Sequence, residues 1–373
     1  MYYGDIITNG REHVVLAIDD EHRSGRLPHG RTVLYERAPR RSVVPDAEFG
    51  YELLVCRWAE LAWRPDGDPT PAIVGRQVGT RRRRWDTVVV EVDPDGLRRR
   101  RAFGDREIDR ELLGIVREAP ADWEWYRDAL PEPDYPWRYV REAVHRAADR
   151  GLIDERTSAD AGGRIEIRRT RSYPDWVRRI VAIENKPDLD ASAAAALADQ
   201  LEYDVDAGLL DETWLATEAT DSRLEPALRR EIPIEAGIVL TDFETGVDPE
   251  SGTVAWLPSD LRTAAATGPD RETRRLVLAE RVYGRGWRSF HDTMRPDCRH
   301  FRLAHTGEAM LPHCAAKGRC PTARECSSSC PSVSPEPPAW RTRGWPIEGG
   351  PGKGITRLLE RRRDRARYRT LRR

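Results

Sequence analysis

The run VRRIVAIENK, residues 177–186, constrains this chain more than any other stretch. Its β-branched apolar centre reads as a strand, and a strand sets residues two apart on one face at about 3.3 Å rise per residue. Glu184 and Lys186 therefore point the same way at the end of an apolar run. Lysine is rare here: of 62 basic residues only those at 186, 317 and 353 are lysines. A cation wanted only for charge would be an arginine in such a chain, so Lys186 reads as selected for its chemistry. An ammonium is compact and its pKa moves on desolvation, whereas a guanidinium stays charged and needs a fork-shaped partner.

The elements around this strand have a definite order. In DAEFGYELLVCRWAELAW (46–63) Phe49, Leu53 and Cys56 recur at helical spacing, with Asp46 as N-cap. PAIVGRQVG (71–79) and WDTVVVEVD (85–93) are β-branched runs bounded by Pro, Gly and Asp, and read as two strands. A Trp- and Pro-rich segment follows, then an amphipathic helix at 139–151, then a strand, Gly-rich turn and strand over 152–170. Helix followed by hairpin is the outline of a winged-helix-like module. After the 177–186 strand come an Ala-rich helix (190–209) stopped at Gly208 and a further strand (211–219). The expected class is α/β.

A length of 373 residues with 39% apolar content and twelve Trp can build a substantial core. No apolar stretch approaches the roughly 18 residues of a membrane span, and MYYGDIITNG lacks signal-peptide character, so no membrane association and a cytoplasmic setting are expected. Net charge is −1, yet arginines cluster at 81–84, at 98–101 and at the C-terminus, as a polyanion partner would favour.

Together these features resemble the PD-(D/E)XK, restriction-endonuclease-like or RecB-like, nuclease superfamily, and along residues 46–335 an uncharacterised archaeal family of that type. The stretches that carry the resemblance are RRWDTVV with Asp86, YPWRYVREA, and IVAIENKPDLDAS with Glu184 and Lys186. It implies an α-β-β-β-α-β core with a mixed central sheet, a winged-helix-like insertion separating Asp86 from Glu184, and a Cys-rich C-terminal segment. The segments would be an extension at 1–44, core at 45–118, insertion at 119–173, core again at 174–290, Cys-rich segment at 291–335 and a Pro-rich, basic tail at 336–373. The implied activity is metal-dependent hydrolysis of phosphodiester bonds in DNA. A helical carboxylate, Glu52 rather than Glu48 or Glu60 because it sits among apolar residues, would join Asp86, Glu184, Lys186 and a sheet-facing Gln200. Asp86, Glu184 and the Asn185 carbonyl would hold Mg²⁺ or Mn²⁺, a hard ion that takes carboxylate oxygens and keeps several waters. Relatives that pair to cut both strands imply a homodimer. A non-catalytic nucleic-acid-binding protein on the same scaffold is the alternative, with Arg138, Arg141, Arg146, Arg164, Arg168 and Arg169 of the insertion available to phosphates.

Cysteine forms a second constellation. Cys298, Cys314, Cys320, Cys326 and Cys330 fall within 33 residues, with His300, His305 and His313 among them, while Cys56 stands apart. In a reducing compartment such density argues for metal rather than disulfides. Zinc on thiolates, or on three and a histidine, is one reading. A [4Fe–4S] cluster is the other, echoed by Cys330-Pro331 and by the clusters some RecB-like nucleases carry.

Overall fold

The computed structural model describes residues 48–335 except 65–66, 69, 159–161, 189–190, 219–231, 263–268, 289–293, 295–297, 323 and 327–328, together with strands β1 (Ser24–Arg26) and β2 (Thr32–Leu34), which pair antiparallel. The Asp46 cap, the basic tail and most of the N-terminal extension lie outside the described residues. The chain forms two compact units, one of residues 58–241 and 249–288, the other of residues 1–57, 242–248 and 289–373. Helix α1 (Glu48–Ala62) begins in the second and ends in the first.

The larger unit is mixed α/β. Strands β3 (Ala72–Gly79) and β4 (Arg84–Val92) are followed by helices α2 (Pro94–Arg101) and α3 (Arg110–Glu118). Next come β5 (Glu124–Trp125), α4 (Tyr126–Ala129), α5 (Trp137–Asp149), β6 (Ile153–Ser158) and β7 (Arg164–Arg169). The chain then returns through β8 (Val177–Asn185), α6 (Ala191–Asp206), β9 (Glu212–Glu218), β10 (Gly237–Thr241), β11 (Gly252–Trp256) and α7 (Pro269–Arg285). Six strands make one sheet in the order β11-β10-β9-β8-β4-β3. Strands β8, β9 and β10 run parallel, and β4 pairs antiparallel with both β8 and β3. The central sheet is therefore mixed, as expected.

Its core explains why these runs are strands. Val88, Val90, Ile180 and Ala182 pack with Leu278, Ala279 and Val282 of α7, and Leu197 and Leu201 of α6 meet Leu215, Ile238 and Leu240. Full burial of each large apolar side chain contributes about 1.5–3 kcal/mol, which favours continuous β-branched runs in the middle of the sheet. Gly208, at φ +62, ends α6 in the left-handed conformation that suits glycine.

The segment between β4 and β8 has its own core, formed by Leu112 and Val116 of α3, Val144 and Ala147 of α5, and Ile153 and Ile167 of the hairpin. Its strands pair in the order β5-β7-β6. The expected helix and hairpin are present. Helices α2 and α3 are not in the sequence reading, which took LRRRRAFG as a basic patch. Asp93 caps α2 by accepting from the Gly96 amide at 2.6 Å, and Arg100 is fully buried. The arginine run is thus helical, and one of its members serves the core.

A carboxylate pair on adjacent strands

Strands β4 and β8 run antiparallel with Thr87 opposite Ile183, and the same register carries one step further sets Asp86 opposite Glu184. Residues directly opposite across such a pair have Cβ atoms about 4.5–5.5 Å apart. The amide of Asn185 donates to Asp86 Oδ2 at 3.2 Å, tying the two strand ends together. The structure therefore joins Asp86 and Glu184 although 98 positions separate them in the chain.

Glu184 is buried. Burial first, and the nearby charge of Asp86 second, push its carboxyl up to about 8, against the opposing pull of Arg83. Arg83 Nη2 lies 2.6 Å from Glu184 Oε1, yet that oxygen receives no directed N–H, so the contact is an ion pair by distance rather than a hydrogen bond. Arg83 is turned instead onto Asp204 of α6, donating from Nε and Nη2 at 3.1 Å each, and Trp85 Nε1 donates to the same carboxylate at 2.7 Å. Burial opposes the Arg83 charge, but the Asp204 hydrogen bond and the charges of Glu184, Asp204 and Asp86 keep its pKa above the ordinary value. Asp204 is itself raised, chiefly by burial.

Gln77 supports the other acid. It is the one described non-glycine residue with positive φ, 53°, and its Nε2 donates to Asp86 Oδ1 at 2.8 Å. A left-handed residue inside a strand interrupts the alternation of faces. Val78 accordingly turns to the same side as Gly75, where a Cβ would meet Val78 Cγ2 at 3.1 Å. Strain of this kind, on the order of 1–3 kcal/mol, persists where surrounding structure holds it. Asn185 lies across from these groups, its Nδ2 donating to Thr87 Oγ1 at 3.0 Å while Oδ1, fully buried, has no partner.

The remaining expected residues are placed as follows. Lys186 is half-buried at the end of β8, and its amide donates to Ala216 O at 2.9 Å. Glu52 is buried in α1, within the smaller unit. Gln200 is exposed rather than turned to the sheet. The inward stripe of α6 is Leu197, Leu201 and Asp204, at the i, i+4, i+7 spacing of one helical face, which leaves Gln200 on the outside. Asp204, Arg83 and Gln77 escaped the sequence reading. Asp204 carries a signal in retrospect, since it falls on the apolar stripe of its helix.

A model of a family of unknown function, DUF5787, matches residues 73–335, well over half of the chain. The chain belongs to the DUF5787 family. No curated protein and no solved structure matches it. Among the described residues of this DUF5787 chain, no three His, Cys, Asp or Glu side chains are grouped closely enough to hold a metal ion, and no helix is long and apolar enough to cross a membrane.

Two further features bear on binding. On β5, β6 and β7 of the DUF5787 chain, arginines stack on tryptophans: Arg156 and Arg168 over Trp123 at 4.4 and 4.7 Å, and Arg164 over Trp125 at 4.6 Å. Arg156 and Arg168 also pair with Glu166 and Asp154, and Arg146 pairs with Glu111, while Arg138, Arg141, Arg164 and Arg169 are exposed. In the smaller unit, Cys298, Cys314, Cys326 and Cys330 line one cavity; Cys320 is buried outside it, and none of the six cysteines forms a disulfide.

Proposed function

We propose that the chain is a metal-dependent nuclease of the PD-(D/E)XK type, hydrolysing phosphodiester bonds in DNA at Asp86, Glu184 and Lys186. The observation that carries the reading is the buried Glu184 set against Asp86 on the neighbouring strand, with Lys186 two residues beyond. The order α1, β3, β4, β8, α6 and β9 supports reading the core as restriction-endonuclease-like, with the segment between β4 and β8 read as a winged-helix-like insertion. Two carboxylates suffice for a hard ion that keeps most of its waters and takes the rest of its shell from phosphate. The donor set fits that requirement: a buried carboxylate oxygen with no directed donor, next to a second acid. Mg²⁺ or Mn²⁺, when bound there, would polarise the phosphate and ease deprotonation of the attacking water.

The chain's own residues supply the rest. Gln77 and the Asn185 amide fix the Asp86 carboxylate through one oxygen each. Arg83 balances Glu184 and is itself held by Asp204, so a cation entering the site can take over Glu184 without stranding the guanidinium. Lys186 would offer a compact positive charge to the attacking water or to the negative charge growing on the phosphoryl oxygens. The stacked arginines and tryptophans of the insertion would receive the nucleic acid through phosphate contacts and base stacking.

A second reading has a specific observation behind it. Arg83 already stands 2.6 Å from Glu184, where a metal cation would otherwise sit, as it would in a scaffold that binds nucleic acid without cutting it. Incubating plasmid and single-stranded DNA with the protein and Mg²⁺ or Mn²⁺, beside Glu184→Ala, separates the two. Cleavage lost in the variant supports the nuclease. DNA binding without cleavage in the wild type supports the second reading and rejects the first.

A further inference from the structure

We propose that Cys298, Cys314, Cys326 and Cys330 bind one zinc ion, with Cys320 excluded. The inference does not depend on the reading of Asp86 and Glu184. Strands β12 (Phe301–Thr306) and β13 (Ala309–Cys314) form a hairpin that puts Cys314 at its end, paired with Phe301, and Cys298 at its approach. The chain then turns at Gly318, whose amide donates to Cys314 O at 2.8 Å, and comes back toward the hairpin. A reciprocal cap fixes the turn that delivers Cys326: Thr322 N donates to Glu325 Oε2 at 2.9 Å and Glu325 N to Thr322 Oγ1 at 3.2 Å. Cys326 N then donates to Thr322 O at 3.0 Å. Cys330 follows four residues on.

Four thiols brought to one cavity from three separate segments are what a tetrahedral thiolate site needs. The cavity is about 20 Å³. A water-sized sphere needs roughly 10–15 Å³, so the cavity as it stands matches a single ion. One neighbour suits a thiolate cage. Ser334 N donates to Cys298 Sγ at 3.3 Å, an outer hydrogen bond of the kind that steadies metal ligands. Lys317, another of the three lysines, lines the cavity with Glu325, its Nζ 3.7 Å from Glu325 Oε1. Among the described residues no three groups stand at ligand spacing. Coordination would draw the sulfurs to about 2.3 Å from zinc. Cys320 is buried and does not line the cavity; its Sγ lies 4.0 Å from Pro321 O.

The test is the metal content of the full chain, purified without chelator, by elemental analysis and visible absorption. About one zinc per chain is expected, without the broad visible band of an iron–sulfur cluster, and Cys320→Ser should keep it. Cys298→Ser and Cys330→Ser should drop it to near zero. Because a ligand variant can fold poorly, the wild-type chain is also alkylated before and after EDTA. Cys326 and Cys330 are half-exposed, so they should resist alkylation until zinc is withdrawn. Iron with visible absorption, loss of zinc in Cys320→Ser, or equal alkylation of Cys326 and Cys330 with and without EDTA would overturn the proposal.

Discussion

Two buried glutamates in the same unit have opposite surroundings. Glu280 of α7 is fully buried and receives four donors: Arg100 Nε and Nη2 at 2.5 Å each, the Tyr173 hydroxyl at 2.5 Å and the Ile108 amide at 2.7 Å. Arg100 is completed in turn by the carbonyls of Gly104 and Arg106. Glu184 is nearly as buried, yet it has one arginine whose N–H groups are aimed elsewhere, and a second acid as neighbour. A satisfied buried charge locks elements together, whereas an unsatisfied one is a cost that persists only where something else requires it. Here α2 and α7 are held by the first arrangement, and the end of β8 is left open by the second.

The largest effect should come from breaking the satisfied cluster. Glu280→Ala leaves Arg100 buried without its partner, and we expect a loss of about 3–5 kcal/mol in urea or thermal unfolding. A loss below about 1 kcal/mol would mean the cluster is no lock.

Lys186→Arg should leave folding and DNA affinity near wild type, since phosphate attraction depends on local charge. Turnover should fall about 10²–10³-fold, because a longer planar group cannot present one donor at the same point. Cleavage and binding measured on one preparation decide it, and full activity in the variant rejects a catalytic Lys186.

Glu184→Gln should act on stability with a definite sign in metal-free buffer. The folded chain holds the Glu184 proton up to about pH 8, while an unfolded glutamate loses it near 4.5. Stability is therefore greatest below the lower value and falls as pH rises toward the upper one. Removing the charge should raise stability at pH 8, by a few kcal/mol at most, and change little at pH 4. Asp204 is shifted the same way and stays, so the pH slope shrinks without vanishing. Chemical denaturation across this range that finds Glu184→Gln weaker than wild type at pH 8 would contradict the account. The smallest effect belongs to the exposed Gln200, where alanine should alter neither turnover nor stability beyond about 0.5 kcal/mol.

How much of this was legible in the sequence follows from where each signal resides. β-Branched runs and Gly stops record burial and backbone conformation locally, so the helix at α6, the strands β3, β4, β8 and β9 and the β6–β7 hairpin could all be read. Helix α2 could not, because an arginine run looks solvated unless its partner is known, and Glu280 lies 180 residues from Arg100; α3, with its Asp109 cap and apolar Leu112, Leu113, Ile115 and Val116, carried a local signal that went unread. The same distance hides Arg83 with Asp204 and Gln77 with Asp86: hydrogen-bond pairing leaves no periodic mark. Gln200 was misplaced because a family pattern fixes a residue type, whereas the apolar stripe of α6 fixes which face turns inward.

The central claim is that Asp86 and Glu184 share one cation, and Mn²⁺ titration followed by calorimetry or electron spin resonance tests it directly. The wild-type chain should bind Mn²⁺ at this site more tightly as pH rises toward 8 and Glu184 gives up its proton. Asp86→Ala and Glu184→Ala should each abolish that binding, with the Cys-rich segment still folded. Mn²⁺ binding unchanged in either variant would contradict the shared site.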